Sequence, residues 1–447
     1  MTGFVTGGPD PAGPWRDSHL NVHGVAFGEF VKRHLVDTRP LRVPAYRRIW
    51  VGQAVSHVGV GVTVVAVGQQ VYELTHSSFW VGLLSMANLV PLVVFGLWGG
   101  AVADALDRRR VLVVGSLVAW AATLFILVQA LLGLGNVYLI FAAVALNATG
   151  FAITGPTRGA IIPRLLEPEL VPAANALNSL VYSMGAVIGP MVGGVLLATG
   201  GFAAAYAVDA LLFAASLYAA LRLPSLPPKG EVSRPGARAV LEGLSFIVRS
   251  RVLLMSFVVD IIAMVFALPR ALFPELADKS FGGSEIALGL LNSAMAGGSV
   301  IGALFSGWVG RVTRQGMALV VVIAVWGLAV AAAGLVQELW LVVAFMAVGG
   351  AADVVSSVWR QSILQLYAPD EMRGRLQGAF MVVVAGGPRL GDLRAGATAT
   401  AFGLTGAWVG GGLACAVAVL VVGLSVATFR NYRAGTAGKH DQVPAPD

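Results

Sequence analysis

Apolar residues run along this chain in blocks of about twenty, separated by short polar or glycine-bearing turns, from Ile49 to Phe429. Twelve blocks can be read, at 49–72, 79–102, 111–132, 137–160, 174–198, 203–222, 252–275, 286–309, 317–336, 339–360, 377–402 and 405–428. At 1.5 Å per residue each is long enough to cross a hydrocarbon core of about 30 Å. A backbone in lipid must satisfy its own hydrogen bonds, so each block is expected to be a helix. The fold class predicted is all-α and integral to a membrane, with twelve transmembrane helices.

The longest polar interruption follows the sixth block. Residues 223–250 carry Pro224, Pro227, Pro228, Lys229, Arg234 and Pro235, then an amphipathic stretch from Ala237 to Val248. That reads as a linker ending in a helix on the cytoplasmic surface. It divides the chain into a tail (1–45), a six-helix bundle (46–222), the linker (223–250), a second six-helix bundle (251–430) and a second tail (431–447). The halves echo each other. Thr157-Arg158, Pro168-Glu169 and Gly189-Pro190 recur as Trp359-Arg360, Pro369-Asp370 and Gly387-Pro388. Parallel repeats of this kind build many transporters, although a membrane scaffold could carry one too.

Composition agrees: 57% of residues are hydrophobic and 12% charged, against roughly 25% charged in soluble domains. Of 30 Lys and Arg, Lys279 alone is assigned to an outward loop, and Arg270, Arg389 and Arg394 to spans. The rest fall in tails, alternate loops and helix ends on one side, which the positive-inside rule makes cytoplasmic. Both termini are therefore expected inside, and the net charge of +7 reads as a topology signal with no nucleic-acid partner. Four lysines beside 26 arginines fit a GC-rich bacterial genome, hence a bacterial inner membrane. Residues 1–45 lack an apolar core, so no cleavable signal peptide is expected, only a short surface helix near 25–35. A lone Cys415 forms no internal disulfide, and no Cys/His spacing suggests a metal. No cofactor is expected, and no Walker-type phosphate loop occurs.

Two motifs carry most of the functional signal. Residues 100–110 read Gly-Ala-Val-Ala-Asp-Ala-Leu-Asp-Arg-Arg-Arg, between the second and third blocks. Gly100 permits close helix approach, and Asp104 can meet an arginine or a helix N-terminus. On the fifth block, Gly185, Gly189 and Gly193 are spaced by four on one face, with Pro190 and Gly194 beside them. The glycines allow close packing and the proline a bend.

On these residues the chain resembles the major facilitator superfamily, and within it the drug and siderophore exporters of the enterobactin-exporter type, over residues 45–430. That superfamily's loop reads G-x-x-x-D-[RK]-x-G-[RK]-[RK]; Gly100, Asp104, Arg108 and Arg109 match, while Ala105 and Asp107 depart from it. Gly185, Gly189, Pro190, Gly193 and Gly194 match the glycine-proline motif associated with antiporters and exporters. Segments 271–274 and 385–392 are also similar to the enterobactin-exporter branch. The resemblance implies the major facilitator fold, a gating role for the loop, and a central cavity lined by the first, fourth, seventh and tenth spans. It places Asp260, Arg270 and Asp353 beside the transport path. The arginine motif of the fourth span and the acid of the first span, both common in drug exporters, are not evident.

Ionisable groups inside a membrane span are costly and default to functional roles. Asp260 and Arg270, about 15 Å apart along one helix, and Asp353 are assigned to proton coupling or substrate contact. Arg389 and Asp392, three apart on one face, are expected to form a structural ion pair, and Asp209 to be structural. Gln53, Gln69, Asn88, Asn147, Phe266 and Trp359 are candidate cavity residues. The leading expectation is a monomeric secondary transporter exporting an amphiphilic small molecule, a siderophore or a drug, against inward protons. The alternative, a membrane enzyme or scaffold, would need a clustered catalytic constellation, and the six histidines are scattered.

Overall fold

The computed structural model describes Gly3 and residues 37–227, 237–367 and 373–433, and within helices it leaves some side chains, including those of 96–105, outside the description. The surface helix expected near 25–35 lies outside these residues. The elements are α1 (Pro44–Thr75), α2 (Ser78–Ala105), α3 (Arg108–Leu131), α4 (Val137–Leu165), α5 (Val171–Leu221), α6 (Ala237–Arg249), α7 (Arg251–Phe266), α8 (Phe273–Ser280), α9 (Glu285–Leu304), α10 (Gln315–Leu335), α11 (Leu339–Tyr367), α12 (Arg373–Ser425) and α13 (Ala427–Arg430).

Among the described residues, ten helical stretches are long and apolar enough to cross a membrane, and two of them hold two spans each. α5 turns at Gly201 (φ 65°, ψ −166°) and α12 at Gly403 (φ 72°, ψ 171°). Both conformations lie where a Cβ is disfavoured, so glycine is the residue that lets the chain reverse there. The architecture is thus twelve spans in two six-helix bundles, of the major facilitator type. α6 occupies the amphipathic stretch between them.

The seventh span is not one helix. α7 stops at Phe266, residues 270–272 form a 3₁₀ turn, and α8 resumes at Phe273. Pro269 has no N–H to donate and drives Leu268 away from helical angles. Asp260 and Arg270 therefore do not sit on a common helix, contrary to the sequence expectation.

Two faces can be distinguished. The terminal face carries the start of α1, the α2–α3 and α4–α5 loops and the end of α12. The distal face carries the α1–α2 and α9 starts and the turns at Gly201 and Gly403. Among the described residues, hydrogen bonds between the halves run from the distal face to mid-depth. Tyr72 donates to Asp278 (3.3 Å) and Ser78 to Glu275 (2.5 Å). Deeper, Ser85 donates to Asp392 (2.8 Å), Arg389 to Asn88 (2.8 Å) and Ser293 to the Val187 carbonyl (2.8 Å). Toward the terminal face, a cavity of 520 Å³ opens between α1, α3, α4 and α5.

Candidate functional site

The second half holds a buried charge cluster at α7 and α11. Asp260, 2% exposed, forms an ion pair with Arg360, which is 4% exposed. The same guanidinium lies 3.5 Å from Asp353 and donates to the Ser356 hydroxyl at 3.3 Å. Asp353, seven residues earlier on α11, stays 35% exposed. One cation thus serves two carboxylates, one sealed and one about a third exposed. Sequence reasoning placed Asp260 and Asp353 here but grouped Arg360 with the arginines of the terminal face. The available signal was the repeat, which already set Arg360 opposite Arg158.

Arg270 comes close enough to act through space on Asp353, Asp392 and Arg389, although it is separated from Asp260 by the broken helix. The expected Arg389–Asp392 ion pair is not formed. Arg389 donates instead to Asn88 and to its own helix at Ala385, and Asp392 accepts from Ser85. A spacing of three puts both on one face, and α2 offers Ser85 and Asn88 at the same spacing. Each charged group therefore finds a partner across the halves. Arg394, in the same span, donates to the carbonyls of Val265 and Phe266, which the break in the seventh span leaves open.

In the first half, Asp209 is buried and accepts from Thr63 at 2.6 Å. Arg158 reaches Ser216 at 3.3 Å and lines the 520 Å³ cavity with Gln53, His57, Asn178 and Tyr182. Of the other candidate cavity residues, Asn147 donates to the Ala119 carbonyl and Gln69 to Glu73. Trp359 is buried with its indole N–H on the Val309 carbonyl. These three support packing.

The glycine-proline motif divides between two neighbours. A Cβ at Gly185, Gly189 or Gly193 would strike α1 at His57, Gly61 or Val62, whereas one at Gly194 would strike α9 at Glu285 and Gly289. Pro190 presents its carbonyl to Gly289. Three glycines therefore bind α5 to α1 within one half, with the Pro190 ring also against Gly61, and Gly194 with the Pro190 carbonyl faces the other half. In the loop motif, Arg108 donates to the Ala160 carbonyl (3.0 Å) and Arg109 to that of Leu221 (2.8 Å). Leu221 is the last residue of α5, so the Arg109 guanidinium meets a helix C-terminus, where the dipole favours a cation. Gly100 and the Asp104 side chain lie outside the described residues.

Comparison with known proteins agrees with this architecture. The family described as transmembrane secretion effector matches residues 37–445. The enterobactin exporter EntS of Shigella boydii serotype 18 and that of Escherichia coli O1:K1 are each 31% identical over 350 residues, 78% of this chain and 83% of theirs. In fold, a bacterial homologue of the lysosomal transporter Spinster superposes with a TM-score of 0.68 at 17% identity, covering 88% of this chain and 97% of its own. The nucleoside transporter NupG superposes at 0.69 and 14% identity, covering 87% and 99%. The chain belongs to the transmembrane secretion effector family of the major facilitator superfamily.

Proposed function

We propose that this protein is a secondary active exporter that moves an amphiphilic small molecule out of a bacterial cytoplasm in exchange for protons. It works as a monomer in the inner membrane with both termini inside. Export as the direction is supported by the kinship to exporters and by the glycine-proline motif. On this orientation the terminal face is cytoplasmic, and the contacts at the distal face keep the cavity closed to the outside. Rocking of the halves then exposes the same site alternately to each side.

The observation that carries proton coupling is the Asp260–Arg360–Asp353 cluster. One guanidinium offsets one carboxylate, and Asp260 is sealed against it. Asp353 is the more exposed member, 3.5 Å from the shared guanidinium and under the more distant influence of Arg270. A carboxylate that only shares its cation inside a span is costly, and a proton on Asp353 removes its charge. Asp353 is thus the exchanging acid and Asp260 the fixed partner of Arg360.

For the substrate we favour a siderophore, as in the named relatives. A drug is the second reading, supported by the presence of both charge signs within the spans, Arg158 and Arg270 against Asp353. Profiling a deletion strain separates them. Loss of siderophore from the medium supports the first reading, and increased sensitivity to amphiphilic drugs supports the second. Wild-type behaviour in both assays would overturn export.

A further inference from the structure

The two halves carry an arginine at corresponding places, but their surroundings differ in charge. Arg360 has Asp260 and Asp353. Asp260 lies four residues before Met264, which meets Gly387 of Gly387-Pro388; the matching Gly189-Pro190 meets Gly61, and four residues before Gly61 lies His57. Asp353 lies seven residues before Arg360, and seven before Arg158 lies Phe151. Neither carboxylate of the second half therefore has an acidic counterpart in the first, and His57 and Phe151 line the same cavity as Arg158. No Asp or Glu is among the lining residues of that cavity.

A cation in a membrane interior without a counter-charge is costly. It persists at a site where a ligand supplies the missing charge. The cavity has the other properties such a ligand requires. Its 520 Å³ falls within the roughly 300–1,000 Å³ of small-molecule sites. Tyr46, Phe151 and Tyr182 furnish aromatic wall. The His57 Nδ1 lies 2.9 Å from the Gln53 carbonyl. A carbonyl only accepts, so that nitrogen carries the proton, and Nε2 is an acceptor open to a ligand hydroxyl rather than to its acidic group.

We propose that the Arg158 cavity is an anion subsite that receives the acidic group of an aromatic organic anion, with Arg158 as counter-charge and the rings of Phe151 and Tyr182 against the aromatic body. This rests on the transport reading for its biological use, but not for its test. The two halves then divide the work: the carboxylates about Arg360 handle protons, and the unpaired arginine of the first half selects substrate charge.

The probe is dansylglycine, an aromatic carboxylate, with its methyl ester as the uncharged control. Binding is measured by equilibrium dialysis against the purified full-length protein in detergent at neutral pH. Wild type should bind the acid more tightly than the ester. Arg158→Gln should weaken acid binding about tenfold, the loss of one charge-assisted contact, and leave the ester unchanged. Phe151→Asp, which restores a carboxylate where the second half has one, should weaken the acid similarly while Arg158 is intact. Arg158→Lys should retain most of the preference. Equal affinity of wild type and Arg158→Gln for the acid, or equal affinity of wild type for acid and ester, would overturn the proposal. Because no flux is measured, that result would leave export standing, and failure of export in cells would leave a measured anion site standing.

Discussion

At the scale of single residues, Asp107 shows how a departure from the family pattern acquires a structural role. It caps α3 by accepting from the Arg109 amide at 2.8 Å, and it accepts from the Ser225 hydroxyl at 2.5 Å and the Leu226 amide at 3.2 Å. These bonds tie the α2–α3 loop to the start of the linker. The Ser225 hydroxyl first, then the amides of Leu226 and Arg109, hold its carboxyl below the ordinary carboxylate range. A depressed acid stabilises the fold above its unfolded value of about 3.9, and that contribution is lost as pH falls through the folded value. Asp107→Ala should lower stability by about 1 kcal/mol at pH 7, and its deficit against wild type should shrink as the pH drops below about 4. Thermal unfolding in detergent across pH checks this, and a deficit independent of pH would assign the loss to packing. The sequence singled out Asp107 as a departure, yet its partners Ser225 and Leu226 lie more than a hundred residues away. Arg360 was missed for a related reason. It lies seven residues from the end of α11, where an arginine usually belongs to the loop, and only the fold brings Asp260 against it.

At the scale of elements, the twelve spans were legible because each must satisfy its own backbone in lipid, and that leaves a long apolar block. What the blocks did not reveal was how they break and which face meets which neighbour. Pro269 interrupts the seventh span, and the glycine face of α5 proves to be two contacts. Gly189 touches Gly61 of α1, where an added Cβ would come within 2.7 Å of the Gly61 Cα. Gly194 meets Gly289 and Glu285 of α9 in the other half. Overpacking a close contact costs about 1–3 kcal/mol, but the two sites should register it differently. Gly189→Ala should lower the melting temperature of the purified protein, because the contact lies inside one half. Gly194→Ala should slow transport with a smaller change in melting, because its contact lies between halves that move. Equal melting losses for both, with transport unaffected by Gly194→Ala, would refute this division.

At the scale of the whole molecule, the two bundles descend from one pattern and differ most in charge. In the second half, Arg360 is neutralised by Asp260 and approached by the partly exposed Asp353. In the first, Arg158 faces a cavity without acids. Ser85 and Asn88 of α2 meet Asp392 and Arg389 of α12 at mid-depth, so the half with the buried charge cluster is joined by polar contacts to the half with the cavity. Tyr72 with Asp278 and Ser78 with Glu275 join the halves again at the distal face. The central claim is that a proton on Asp353 is exchanged for substrate during each cycle. Its most direct measurement is substrate-induced proton movement in proteoliposomes holding wild type or Asp353→Asn, using the compound found by the deletion profile. Wild type should move protons when substrate is added, and Asp353→Asn should exchange substrate down its gradient while moving none. Undiminished substrate-induced proton movement by Asp353→Asn would contradict the account.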